Sequence, residues 1–133
     1  MSAGAPLSLR RKASLIAEIV SAYVRVRRDL RRREFPEVLE LSRALEPVLS
    51  DDPVGDERLA RGVRRTLRLL PGDSRCLTQS LVLTRLLARR GRLSRLVIGV
   101  SPGQAFGAHA WVERDDVPLL PSHERQFERL AEL

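Results

Sequence analysis

Cys76-Leu77-Thr78-Gln79-Ser80-Leu81-Val82-Leu83-Thr84-Arg85-Leu86-Leu87-Ala88-Arg89-Arg90-Gly91 is followed shortly by Leu96-Val97-Ile98-Gly99-Val100, and then by Ala108-His109-Ala110-Trp111-Val112-Glu113. The hydrophobic period changes within this stretch, and that change decides the fold. Leu77, Leu81, Leu83, Leu86 and Leu87 predict a helix over about 75–90, with these leucines on its buried side. Asp73 or Ser74 can cap its start, and Gly91 is a natural left-handed stop after Arg89-Arg90. The β-branched run at 96–100 reads as a buried strand and 108–113 as a second. Asp115-Asp116 reads as a turn into a third strand at 117–120.

Toward the N-terminus the pattern is helical throughout. Leu15, Ile16, Ile19, Val20, Tyr23 and Val24 form one helical face starting near Lys12. That helix runs into an arginine-rich segment, and Pro36 interrupts it and opens the next helix. Val38, Leu39, Leu41 and Leu45 give the second helix its apolar side. Ser50 to Gly55 is a loop by composition, and Asp56 is placed to cap a third helix carrying Leu59, Val63, Leu67 and Leu70. Phe127, Leu130 and Leu133, spaced by three, predict a closing helical turn. The class is therefore α+β: N-terminal helices, then one helix packed on a small antiparallel sheet. Residues 1–11 read as a flexible tail. A single domain over 12–133 follows, divided into a helical part at 12–55 and a core at 56–133.

Composition removes several functions. The chain has 133 residues and a net charge of +7, and only Lys12 among its 24 cations is not arginine. No apolar run reaches the roughly 18 residues of a membrane span, and Met1 to Arg11 lacks the apolar centre of a secretory signal. Cys76 is the only cysteine, which excludes an internal disulfide and a CxxC zinc site. With His109 and His123 as the only histidines, no Cys/His metal cluster is expected. A reduced, cytoplasmic setting follows from the same cysteine usage.

Two residues carry candidate chemistry. Cys76 falls just inside a predicted helix start, where unpaired N–H groups and the helix dipole favour an anion, the form in which a thiol is nucleophilic. A lone cysteine among leucines is equally at home as a small buried hydrophobe. His109 lies on a predicted strand that can pack on that helix start, where its imidazole can accept and return a proton. By itself it is equally a satisfied core or surface histidine. If the hairpin turns at Asp115-Asp116, facing positions sum to about 231, so His109 faces position 122. The candidates to orient it are Ser122 and His123 beside Pro121, or Glu124 after a strand shift. Trp111 shares the parity of His109 and is read either as a groove wall or as a core aromatic. Glu113 has the same parity, and a solvated strand end is expected there. Gln79, one turn beyond Cys76, can help hold an oxyanion or simply face solvent, and the backbone N–H groups at the helix start are better placed for that role.

Six arginines fall within Arg25–Arg33. A solvated face is the plain reading. No aromatics interleave them, so no stacking platform for nucleic acid exists and nucleic-acid binding is not expected. A docking surface for an acidic peptide or partner, centred on Arg31, Arg32 and Arg33, is the functional alternative.

Pro71-Gly72-Asp73-Ser74-Arg75-Cys76-Leu77, the apolar helix ending at Gly91, the 96–100 strand and Ala108-His109-Ala110-Trp111-Val112-Glu113 together resemble the lasso-peptide B2 proteins. These are stand-alone leader peptidases with a transglutaminase-like, papain-like cysteine-protease core. The resemblance runs from about Leu59 to the C-terminus. It implies Cys76 as nucleophile, His109 as base and a lasso precursor peptide as substrate. It also implies two partners: a separate leader-recognition protein of the B1 type and an ATP-dependent macrolactam cyclase. The same resemblance implies no cofactor for the cleavage itself. The family's third residue is commonly an Asp about twelve positions after the histidine, where this chain has Pro121. Two other readings stand beside the peptidase: an arginine-rich adaptor without catalysis, and a transglutaminase-like acyltransferase.

Overall fold

A computed structural model describes residues 8–70, 76–100, 108–119 and 128–133. Among the described residues four helices precede a four-stranded antiparallel sheet: α1 (Leu9–Arg32), α2 (Phe35–Arg43), α3 (Asp56–Leu69), α4 (Cys76–Arg89), β1 (Arg95–Val100), β2 (Ala108–Arg114), β3 (Val117–Pro118) and β4 (Glu128–Glu132). The strand order is β3-β2-β1-β4. The fold class is the α+β arrangement expected from the change of period. No helix among the described residues is long and apolar enough to cross a membrane.

Helix α1 begins at Leu9, three residues before the expected start, because the Ser8 hydroxyl caps it by accepting from the Arg11 N–H at 3.2 Å. Pro36 stands in the first turn of α2, where no backbone donor is lost. Asp56 is not the cap of α3. Gly55 holds that position, and the Asp56 carboxylate turns aside to Arg92 at 2.9 Å and Arg114 at 2.6 Å. Two arginines outcompete a single backbone N–H for this carboxylate.

Helix α4 is the axis of the molecule. It packs against α1, α2 and α3 as well as β2 and β1. The sequence predicted a one-sided apolar face, but α4 is buried almost all round. Thr78, Ser80, Val82, Thr84 and Arg85 are interior along with the leucines, as expected of a helix enclosed by neighbours. Ile19 and Val26 of α1, Val38 of α2, Leu59 and Val63 of α3 and Leu96, Trp111 and Val112 of the sheet complete the core. At the end of α4 the Gly91 N–H donates to Ala88 O and the Arg92 N–H to Leu87 O, both at 2.9 Å. This Schellman closure needs the left-handed φ of +70° that Gly91 adopts.

The hairpin between β2 and β3 turns at Asp115 and Asp116, both with positive φ (51° and 64°), as a type I′ turn requires. Glu113 faces Pro118 and Arg114 faces Val117, the register expected from the sequence. Pro118 lies at a position whose N–H would point away from the partner strand, so no ladder bond is lost.

The expected closing helical turn is instead strand β4. The outer edge of β1 would otherwise carry unpaired backbone groups, and residues 128–133 satisfy them. Leu96 and Leu133 exchange N–H to O bonds of 3.0 and 2.7 Å. Arg43 of α2 also donates to the Leu133 carbonyl, tying the helical layer to this edge strand. A segment this short has little intrinsic helicity, so sheet completion decides its structure.

Candidate active site

Cys76 is the first residue of α4, half-buried, at the end of the helix where backbone N–H groups lack intrahelical partners. Helix α4 lies on β2, and its N-terminus meets that strand at Ala110. The Ala110 N–H donates to Cys76 Sγ at 3.3 Å. This donor is free for the thiol because of the sheet register. Leu119 N donates to Val112 O at 2.8 Å, so the backbone of residue 112 faces β3, and that of residue 110 points to the same edge. Among the described residues β3 ends before it would reach Ala110, and the sulfur occupies that place along the edge.

The peptide unit that supplies this N–H joins His109 to Ala110. Covalent geometry therefore puts Sγ within about 6 Å of the His109 Cα. The two residues that the sequence singled out for chemistry are brought to one place: the thiol at a helix mouth, the imidazole on the abutting strand. The sulfur is not sealed in hydrocarbon. It sits at a helix terminus and accepts a directed N–H.

His109 pairs through its backbone with Gly99 of β1, and its side chain shares a sheet face with Trp111 and Glu113. The His109 and Trp111 rings stack, with centroids 5.8 Å apart and planes inclined by 28°. Trp111 is fully buried, which makes it a wall behind the imidazole rather than an exposed groove residue. Its indole Nε1–H donates to Glu113 Oε2 at 2.8 Å, inside the protein. Glu113 is buried, not the solvated strand end expected from the sequence. This carboxylate, which supports the indole behind His109, is not evident from the sequence. The available signal was the i, i+2 spacing of His109, Trp111 and Glu113 along one strand.

The remaining candidates divide clearly. Gln79 is half-buried one turn along α4 from Cys76. Pro121, Ser122, His123 and Glu124 lie outside the described residues, as does the segment 71–75 that precedes α4. Asp115 and Asp116 are exposed turn residues. Arg31, Arg32 and Arg33 are exposed at the end of α1, where Arg33 meets Glu37 at 3.6 Å. Glu18 of α1 pairs with Arg89 and Arg90 at the far end of α4, while Arg25 and Asp29, later in α1, act on Arg85, earlier in α4, so the two helices run antiparallel. That directs the last turn of α1 toward the Cys76 end of the molecule. No cluster of three or more His, Cys, Asp or Glu able to hold a metal occurs among the described residues.

The family profile described as transglutaminase-like superfamily matches residues 10–132. Comparison with curated proteins returned no match, and comparison with solved structures returned none either.

Proposed function

The chain belongs to the transglutaminase-like superfamily, which includes cysteine peptidases and acyltransferases, and on that premise we propose that it is a cysteine peptidase removing the leader from a lasso-peptide precursor. The observation that carries the reading is the Ala110 N–H bond to Cys76 Sγ, which seats the thiol beside His109.

In the proposed reaction the Cys76 thiolate attacks the scissile carbonyl carbon. Backbone N–H groups at the mouth of α4 receive the developing oxyanion. The protonated His109 imidazole gives its proton to the leaving amine as the C–N bond breaks, leaving a thioester. His109 then takes a proton from water, whose oxygen attacks the thioester. The leader carboxylate departs and the thiol is restored. Trp111 keeps one face of the imidazole dry and fixes its plane. This chain carries Pro121 at the usual third position, and the stacked indole, held by Glu113, limits the motion of His109 in place of a carboxylate. The setting is cytoplasmic. A leader-recognition protein delivers the precursor, and an ATP-dependent cyclase takes the core peptide onward.

The test is incubation of a candidate precursor with the protein, with and without the recognition partner, read by mass spectrometry. The expected result is two fragments whose masses sum to the precursor plus one water, lost in Cys76→Ala. An amine adduct in place of water would make the chain an acyltransferase. An intact precursor with the partner present would contradict the proposal.

A further inference from the structure

Arg85 of α4 is 8% exposed, and among the described residues its guanidinium has no hydrogen bond and no ion pair, its nitrogens keeping their small solvent contact at the wall of a cleft. A buried charge is normally paired, because desolvating it alone is costly. By contrast Arg90, 4% exposed, is gripped by Glu18 at 2.8 Å and Asp52 at 2.7 Å. The surroundings of Arg85 make its isolation worse. Burial pushes its guanidinium below the usual arginine value, Arg25 adds to this, Asp29 partly opposes it, and Arg89 and Arg28 act with Arg25.

Arg85 lines an open cleft of about 330 Å³ between α1, α4 and the segment after α2. Arg25 and Arg89 line the same cleft, as do Glu18 and Glu46. Arg25 is exposed. Glu18 is already engaged by Arg89 and Arg90. Three guanidinium groups against two carboxylates leave one positive charge unmatched. Leu45 and Val48 supply an apolar wall.

We propose that this cleft is a docking site for one carboxylate of an acidic peptide segment, with an apolar neighbour of that acidic residue resting on Leu45 and Val48. One unmatched charge suits a monoanionic carboxylate; the two resident glutamates disfavour a dianionic phosphate. Guanidinium groups hold carboxylates through paired N–H bonds. The site is separate from the thiol. Arg85 lies nine residues beyond Cys76, which places it on the opposite face of α4 and roughly 13 Å along the axis. The segment that docks here is therefore not the segment being cut, and the proposal goes beyond the peptidase reading and does not require it.

The test uses the full chain with Cys76→Ala, so that nothing is cleaved. Acetyl-Leu-Glu-Leu-amide, its Leu-Gln-Leu counterpart and inorganic phosphate are titrated separately while the arginine Nε–H resonances are followed. The expected result is a saturable shift of the Arg85 resonance with the Glu peptide, at least tenfold weaker for the Gln peptide and lost in Arg85→Met. Arg25→Ala, a surface change that leaves folding intact, is expected to weaken the Glu peptide at least threefold. Absence of saturation, equal binding of the two peptides, or unchanged affinity in Arg25→Ala would overturn the proposal. Tighter binding of phosphate than of the Glu peptide would also overturn it, and would favour a nucleic-acid ligand.

Discussion

At the scale of single residues, the site depends on a sulfur and a ring held by neighbours that do no chemistry. Cys76→Ala should abolish precursor cleavage, and His109→Ala should lower its rate by about 10²–10⁴, the range for loss of a positioned acid–base group. Glu113 tests the support behind the imidazole. Glu113→Ala leaves the Trp111 N–H buried without this acceptor, which should cost about 1–3 kcal/mol of stability in a denaturant titration. Glu113→Gln keeps an acceptor oxygen and should lose much less. Cys76 and His109 were legible in the sequence because a helix-start pattern and a strand pattern meet at those positions. Glu113 was not, because a charged residue at a strand end reads as solvated. The buried indole across one pleat gives it a reason to be inside.

At the scale of elements, glycine and turn chemistry make sharp predictions. Gly91→Ala should destabilise the chain by about 1–2 kcal/mol, the cost of a side chain in the left-handed region. The added Cβ would also meet Pro47 Cβ at 3.3 Å. Thermal unfolding of the variant checks this. Asp116→Gly should stabilise by a few tenths to about 1 kcal/mol, since a type I′ turn favours glycine at its second position. It should leave cleavage unchanged, because the turn lies at the tip of the hairpin. Helices α1 to α4 were readable from periodicity and punctuation, and the hairpin register from its turn. Strand β4 was not: Leu130 and Leu133 at a spacing of three suggest a helix, and only the open edge of β1 reveals the need for a strand. The burial of α4 almost all round was equally hidden, since Thr84 and Arg85 look like an outer face until α1 packs beside them.

At the scale of the whole molecule, ion pairs tie together the loop at residues 52–56, α1, the end of α4 and the hairpin. Glu18 and Asp52 neutralise Arg90, while Asp56 joins Arg92 to Arg114. Burial works against the Arg90 charge, but the bonds to Glu18 and Asp52 outweigh it and raise its pKa above the usual arginine value. Arg90→Ala removes one partner from two carboxylates in a partly enclosed site. It should cost about 3–5 kcal/mol, seen as a large fall in the denaturant midpoint. Arg31→Glu, Arg32→Glu and Arg33→Glu together alter only exposed charges, so stability should change little. If these residues also form a docking surface, affinity for an acidic partner should fall in the same protein.

The proposed chemistry requires a reactive thiol, and Cys76 is held between the mouth of α4 and strand β2. The direct measurement is the rate of alkylation of Cys76 by iodoacetamide at neutral pH, in the native chain and in His109→Ala. Fast modification is expected in the native chain and a marked slowing in the variant. A native rate as slow as that of an enclosed structural cysteine, unchanged by His109→Ala, would contradict it.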